Sequence, residues 1–190
     1  MPNWLKKLLR SPEPVTPPHA GPAAPARSSA PPQPHDEAHM RRALQLARDA
    51  AAQGETPVGA VVIETESRRT LAEAHNLRER THDPAGHAEL LAIREAARAL
   101  GDWRLTGCTL YVTLEPCPMC AGLIVQSRLG RLVYAAPDPK AGAIESLYAL
   151  ASDPRLNHRL APATDITAGV LAEESAELLR AFFRELRAKR

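Results

Sequence analysis

Read for hydrophobic period alone, the chain divides at about residue 35. Beyond that point Met40, Ala43, Leu44, Ala47, Ala50 and Ala51 recur at the spacing that gathers apolar side chains on one helical face, and Gly54 stands where such a helix would end. The period then changes. Val58-Gly59-Ala60-Val61-Val62-Ile63 is a short, nearly continuous apolar run, which predicts a buried strand, and a turn near Ser67 leads to a second strand over 71–75. Further along, the pattern predicts a helix over 86–100, a strand over 108–114, a helix over 118–127, a strand over 131–136 and a last helix over 171–187. From 138 to 165 it is loop-rich, with a short helix near 145–151. Strands interleaved with helices predict an α/β sandwich with helices on both faces of one sheet.

The first 34 residues behave differently. Trp4 to Arg10 can form two turns of basic amphipathic helix, too short to be stable alone in water, and Ser11 to Pro34 is rich in Pro, Ala and Ser, a composition that favours disorder or polyproline II. We therefore expect a disordered extension over 1–34 and one folded domain over 35–190. An inert tail, a tether, a surface-binding or RNA-binding tag and a transit segment are all compatible with the extension's composition.

Charge follows the same division. The extension carries a net +3 and the rest of the chain −1, so any attraction of the folded part for nucleic acid has to come from a local patch. Three cysteines are too few for a disulfide scaffold in 190 residues, and two of them form a C-x-x-C after a strand-like run. No apolar run is long enough to span a bilayer, and the N-terminus has no apolar signal core. The expectation is a soluble, cytoplasmic protein with no membrane partner.

Candidate chemistry concentrates between Asp83 and Cys120. His87, Cys117 and Cys120 make a three-ligand set of the kind that holds catalytic zinc while leaving a fourth position for water. Cys117 and Cys120 are three apart, so one helical turn aims both at the same ion, and Pro118 suits the first position of that helix. A helix N-terminus also favours thiolate, the form that zinc binds. Glu89 is not needed as a ligand and is free to carry protons. Residues two apart on a regular helix point to nearly opposite sides, so His87 and Glu89 can serve one site only if the helix begins near Gly86 or His87. Cys108 lies mid-strand without this spacing and reads as a core residue.

The motifs His87-Ala88-Glu89 and Pro116-Cys117-Pro118-Met119-Cys120 are the signature of zinc-dependent nucleobase deaminases. With four further stretches, residues 35–187 resemble the bacterial tRNA-specific adenosine deaminases of the cytidine deaminase-like superfamily. The stretches are residues 55–61 with Asn76, Asp138-Pro139-Lys140-Ala141-Gly142-Ala143, Asn157-His158-Arg159 with residues 169–174, and Phe182-Phe183-Arg184. The resemblance implies a three-layer α/β/α sandwich with a mixed five-stranded sheet, a homodimer with one zinc per subunit, and conversion of adenosine to inosine at the wobble position of a tRNA anticodon stem-loop, typically of an arginine tRNA. It implies Glu89 as proton shuttle, Asn76 as a base contact, and Pro57, Val58, Asp138, Lys140, Phe183 and Arg184 in substrate binding. Pro137 stands where members of that family often carry a basic residue, which removes one phosphate contact.

On the last helix, Leu171, Leu178, Phe182 and Leu186 form a packing stripe beside Arg180, Arg184 and Arg187, with Phe183 between them. Stacking combined with positive charge is how single-stranded RNA loops are held, and it equally describes a solvated basic edge. Two other readings stay open. One is a deaminase of a free base such as guanine or cytosine, and the other is a non-catalytic, zinc-stabilised RNA-binding module, for which Glu89 would have no use.

Overall fold

The apolar run 58–63 forms β1 (Gly59–Glu64), buried along its length up to Glu64. The computed structural model describes residues 30–153, 156 and 164–189. Successive side chains of β1 enter two different cores, as the period of two requires. Ala60 and Val62 pack with Ile93, Leu110, Val112, Ile124 and Leu132, whereas Val61 and Ile63 pack with Met40, Leu46, Tyr111 and Val133. A strand buried on both faces has no polar positions to alternate, which is why its sequence is continuously apolar.

In chain order the remaining elements are α1 (Asp36–Ala52), which precedes β1, then β2 (Thr70–His75), α2 (Arg78–Thr81), α3 (Ala88–Leu100), β3 (Cys108–Leu114), α4 (Pro118–Gln126), β4 (Arg131–Ala136), a 3-10 turn (Leu150–Ser152), β5 (Asp165–Ala168) and α5 (Ala172–Ala188). The sheet order is β2-β1-β3-β4-β5. β1 runs antiparallel to both β2 and β3, while β3, β4 and β5 are parallel, so the sheet is mixed as expected. Helices α3 and α4 cover one face; α1 and the residues leading into α5 cover the other. Helix α1 lies very close to the sheet at Gly59, where a Cβ would fall 2.1 Å from the carbonyl oxygen of Ala43. Only glycine fits there.

Two elements depart from the hydrophobic pattern. No helix forms over 145–151 beyond the three-residue 3-10 turn: Leu147 N–H donates to Gly142 and Leu150 N–H to Ala143, five and seven residues back instead of the helical four, while the N–H groups of Ile144, Glu145 and Ser146 donate to the carboxylate of Glu115. The fifth strand, β5, has only Ile166 and Thr167 buried, too few residues to show a period. Trp4 to Arg10 and Asn157-His158-Arg159 lie outside the described residues. Just before α1, Ala30 donates its N–H to Ile166 and accepts from the Thr167 hydroxyl, tying the chain to β5.

A buried polar network ties α1 to the amino end of β4. Asp36 accepts from both terminal nitrogens of Arg131 at 2.7 and 2.8 Å and from the Tyr111 hydroxyl at 2.9 Å, and Arg131 also reaches Thr167. Burial opposes the Asp36 charge, but the Arg131 guanidinium, the Gln33 N–H and the Tyr111 hydroxyl outweigh it and hold the carboxyl below its ordinary range.

Candidate active site

Sheet topology delivers the candidate metal-ligating residues. β3 ends at Leu114, Glu115 extends its pairing by donating to the Ala136 carbonyl, and the chain then turns at Pro116 into α4. Cys117 is the N-cap residue of α4, with extended backbone (φ −71°, ψ 172°), and Pro118 opens the helix. On the neighbouring helix, His87 is the N-cap of α3 and is likewise extended (φ −82°, ψ 142°). The helix therefore starts after the histidine, which resolves the two-residue spacing: an extended N-cap aims His87 back toward Glu89 in the first helical turn. Asp83 does not cap α3. It closes a turn of its own, its carboxylate accepting from Ala85 N–H and its carbonyl from Gly86 N–H.

Two helix N-termini thus meet beyond the carboxyl end of β3, where parallel α/β sheets place their ligands. His87 Nδ1 lies 3.7 Å from Cys117 Sγ and 3.6 Å from Cys120 Sγ, and the three ligand atoms fall within 4.8 Å of one another. Ordinary Zn–N and Zn–S bonds at tetrahedral angles put such N···S edges at about 3.6 Å, so these side chains fit zinc as they stand. The electrostatics agree. Cys117 is held near pKa 4, first by a hydrogen bond from Cys120 and then, against burial, by His87. The thiol pair retains its proton on Cys120, which Cys117 and burial push up, and a metal cation would displace that proton. His87 is raised by the hydrogen bond to Cys117.

Glu89 is buried beside these ligands. Desolvation raises its carboxyl pKa, and its own backbone N–H and the positive charge of His87 offset this only in part. A carboxyl so placed exchanges protons more readily near neutral pH than an exposed one. Cys108 is buried in β3 with a thiol raised by desolvation, the core role expected of it.

Above the ligands opens a cleft of about 860 Å³. His87, Glu89 and Cys117 form its floor. Val58 and Asn76 line one side, Asp138 and Lys140 another, and Phe183 and Arg184 of α5 a third. Six of the seven proposed substrate-binding residues thus share one cavity with the ligand set. Pro57 is buried and is not among its lining residues. Asn76 is fixed in the floor by its own oxygen, which accepts from Ala88 N–H at 2.9 Å, leaving its amide N–H2 as the end that can meet a ligand. Asp138 has an internal use, its carboxylate accepting from the N–H groups of Lys140 and Ala141 and so shaping their loop. Arg180 and Arg184 both pair with Glu177, and Arg180 also pairs with Glu173, all at the surface.

Three residues of the cleft region take no role from the sequence, although Glu55 falls within the 55–61 stretch. Arg78 lines the mouth on α2, and Glu55, fully buried, anchors that helix by accepting from the N–H groups of Glu79 and Arg80. Glu115 is buried between the metal-ligand turn and the loop that follows β4. Its one sequence signal is a carboxylate directly ahead of Pro116-Cys117, at the end of an apolar strand where a charge is out of place.

The model of the MafB19-like deaminase family matches residues 34–187. A tRNA-specific adenosine deaminase of Bacillus subtilis is 48% identical over 155 residues, covering 82% of this chain and 92% of that one. Its counterpart in Haemophilus influenzae is 47% identical over 152 residues, covering 80% and 85%. Among solved structures, one from a study of A-to-I editing by tRNA:A34 deaminases at the wobble position of transfer RNA superposes with a TM-score of 0.69 at 44% identity, covering 75% of this chain and 99% of the other. With the ligand triad, the buried glutamate and this agreement over the whole folded region, the chain belongs to the MafB19-like deaminase family, among the tRNA-specific adenosine deaminases.

Proposed function

We propose that this chain hydrolyses adenosine to inosine, with release of ammonia, at the wobble position of a tRNA anticodon stem-loop, with one zinc ion held by His87, Cys117 and Cys120 of each subunit. The observation that carries the reading is that Glu89 is buried against the candidate ligand triad in a cleft also lined by Asn76, Lys140, Phe183, Arg184 and Arg187. Zinc, when bound, would supply the Lewis acidity that brings a water's pKa toward neutrality. Glu89 takes a proton from the attacking water and delivers it to N1 of the purine as the C6–O bond forms, then takes the proton of the new C6 hydroxyl and passes it to the amine, so that the C6–N bond breaks, ammonia leaves and a C6 carbonyl remains. The role asks the carboxyl to take and give a proton in turn, and desolvation raises the affinity of Glu89 for that proton.

Asn76 offers its amide N–H2 to an acceptor on the edge of the base. Phe183, more than a third exposed on the cleft wall, can stack on a neighbouring base. Arg78, Lys140, Arg184 and Arg187 surround the mouth with positive charge, the local patch that a near-neutral domain needs to hold a phosphate backbone. A base already splayed from an anticodon loop enters without the opening of a duplex.

The reading extends to an arginine tRNA, to the cytoplasm and to a homodimer. Among the described residues no helix is long and apolar enough to cross a membrane. Exposed Met119, Leu147 and Tyr148 are side chains a second copy would cover. Inosine formation in a panel of anticodon stem-loops, run beside free adenosine, guanine and cytosine with protein of measured zinc content, tests the proposal. Inosine confined to the first anticodon position supports it. Turnover of a free base with the stem-loops untouched discards the RNA substrate and retains the zinc chemistry.

A further inference from the structure

We propose that Glu115 is a positioning residue for this reaction. Its buried carboxylate latches the 138–146 loop, one wall of the cleft, to the turn that carries Cys117, so that the surface gripping RNA and the reacting centre are held in register. The inference rests on the RNA reading above.

The geometry is specific to a carboxylate. Glu115 Oε1 accepts from the backbone N–H groups of Ile144 at 3.1 Å, Glu145 at 2.7 Å and Ser146 at 2.8 Å. Oε2 accepts from Asp138 N–H at 3.0 Å and from the Ser146 hydroxyl. Five donors converge on two oxygens, an arrangement open to an acceptor-only group and to no neutral side chain. The loop has been shaped to this carboxylate. Gly142 passes so near that a Cβ would fall 2.3 Å from Oε2 and 2.6 Å from the carbonyl of Asp138, which itself accepts from Gly142 N–H. The loop's outer side, Asp138 to Ala141, lines the cleft. At its other end the latch is covalently continuous with the ligand turn, since Pro116 links Glu115 to Cys117 and accepts at its carbonyl from Ala143 N–H. Three backbone donors in a row, at Ile144, Glu145 and Ser146, converge on this one group.

Replacing Glu115 by Gln separates the two ends of the latch. The amide oxygen can stay with the three consecutive N–H groups, and Ser146 can turn its hydroxyl to accept from the new NH2. Asp138 N–H then faces a donor. Glu115→Gln should therefore release the Asp138 end while leaving the ligand turn in place. The expected result, on an anticodon stem-loop that the wild type deaminates, is a KM raised roughly tenfold with kcat within about twofold and unchanged zinc content. Gly142→Ala should push the same loop off the same carboxylate and raise KM likewise. Because both act on one contact, the double variant should be little worse than either single one.

A kcat and zinc content that fall together at constant KM, or a double variant whose effects simply add, would overturn the proposal and make Glu115 a structural support of the metal turn. Should Glu115→Gln fail to fold, Ser146→Ala, which removes a single donor, decides the matter: a modest rise in KM supports the latch and an unchanged KM refutes it. A wild type inactive on every stem-loop refutes the RNA reading and this inference with it, an outcome distinct from a wild type that is active and insensitive at Glu115.

Discussion

Among the described residues, two clusters of polar and ionisable side chains, wholly or partly buried, do opposite things. At the amino end of β4, Asp36, Arg131, Tyr111 and Thr167 spend their hydrogen bonds on one another, leaving only Arg131 Nε without a partner. Beyond the carboxyl end of β3, His87, Glu89, Cys117 and Asn76 converge on a cleft open to a ligand. Burial of polar groups is common to both, so burial by itself does not mark function. What distinguishes the second cluster is that, besides the contacts of His87 with the two cysteines, its side chains line an open space.

The comparison can be pushed hardest at Glu89. Glu89→Ala should retain fold and zinc while lowering kcat by about 10²- to 10⁴-fold, the usual worth of a positioned proton shuttle. Inosine formation beside metal content is the check, and activity near wild type would sink the mechanism. Asp36 should behave in the reverse way. Asp36→Ala leaves Arg131 buried and unpaired, which should destabilise the fold by about 3–5 kcal/mol in denaturant titrations, with kcat unaltered at temperatures where the variant is folded. A loss of kcat without loss of stability would contradict the division drawn here.

The Asp36 network also has a pH signature. Since its folded pKa is depressed, the stabilisation is complete above the unfolded value of about 3.9 and is lost as pH falls through the lower folded value. The melting temperature of the wild type should drop over that acid range, and the drop should be smaller in Asp36→Asn. An identical acid profile in both proteins would show that other carboxylates control acid unfolding. The smallest effect belongs to the rim. Lys140→Ala should weaken stem-loop binding a few-fold and reduce the slope of log K against log salt by about 0.7, with kcat unchanged. An unchanged slope would remove Lys140 from the phosphate contacts.

Much of the architecture was legible because it rests on local signals. The run at 58–63 is apolar at every position, since both faces of β1 are covered, and Cys108–Leu114 and Arg131–Ala136 follow the same logic. β5 was not legible in the period: four residues with two buried positions carry no pattern, and the strand exists because the edge of β4 offers it a partner. The helix expected near 145–151 failed for a related reason: Leu147 and Leu150 donate back to Gly142 and Ala143 in a loop whose first N–H groups are held by Glu115, some thirty residues away. The argument from spacing that His87 stands at the entrance of α3 held because an N-cap is a local feature with a local consequence.

By itself, then, the sequence determined the layering of helices and strands and pointed to His87, Cys117 and Cys120 as a candidate ligand set with Glu89 beside it, because period, capping and ligand spacing act within a few residues of the chain. Only the tertiary structure decided which side chains share the cleft, that Asn76 spends its oxygen on Ala88, that Asp138 shapes its own loop, and that Glu55 and Glu115 hold the two sides of the mouth. Those relations join residues distant in sequence through hydrogen bonds in a desolvated interior, where each donor must find whichever acceptor the packing brings near.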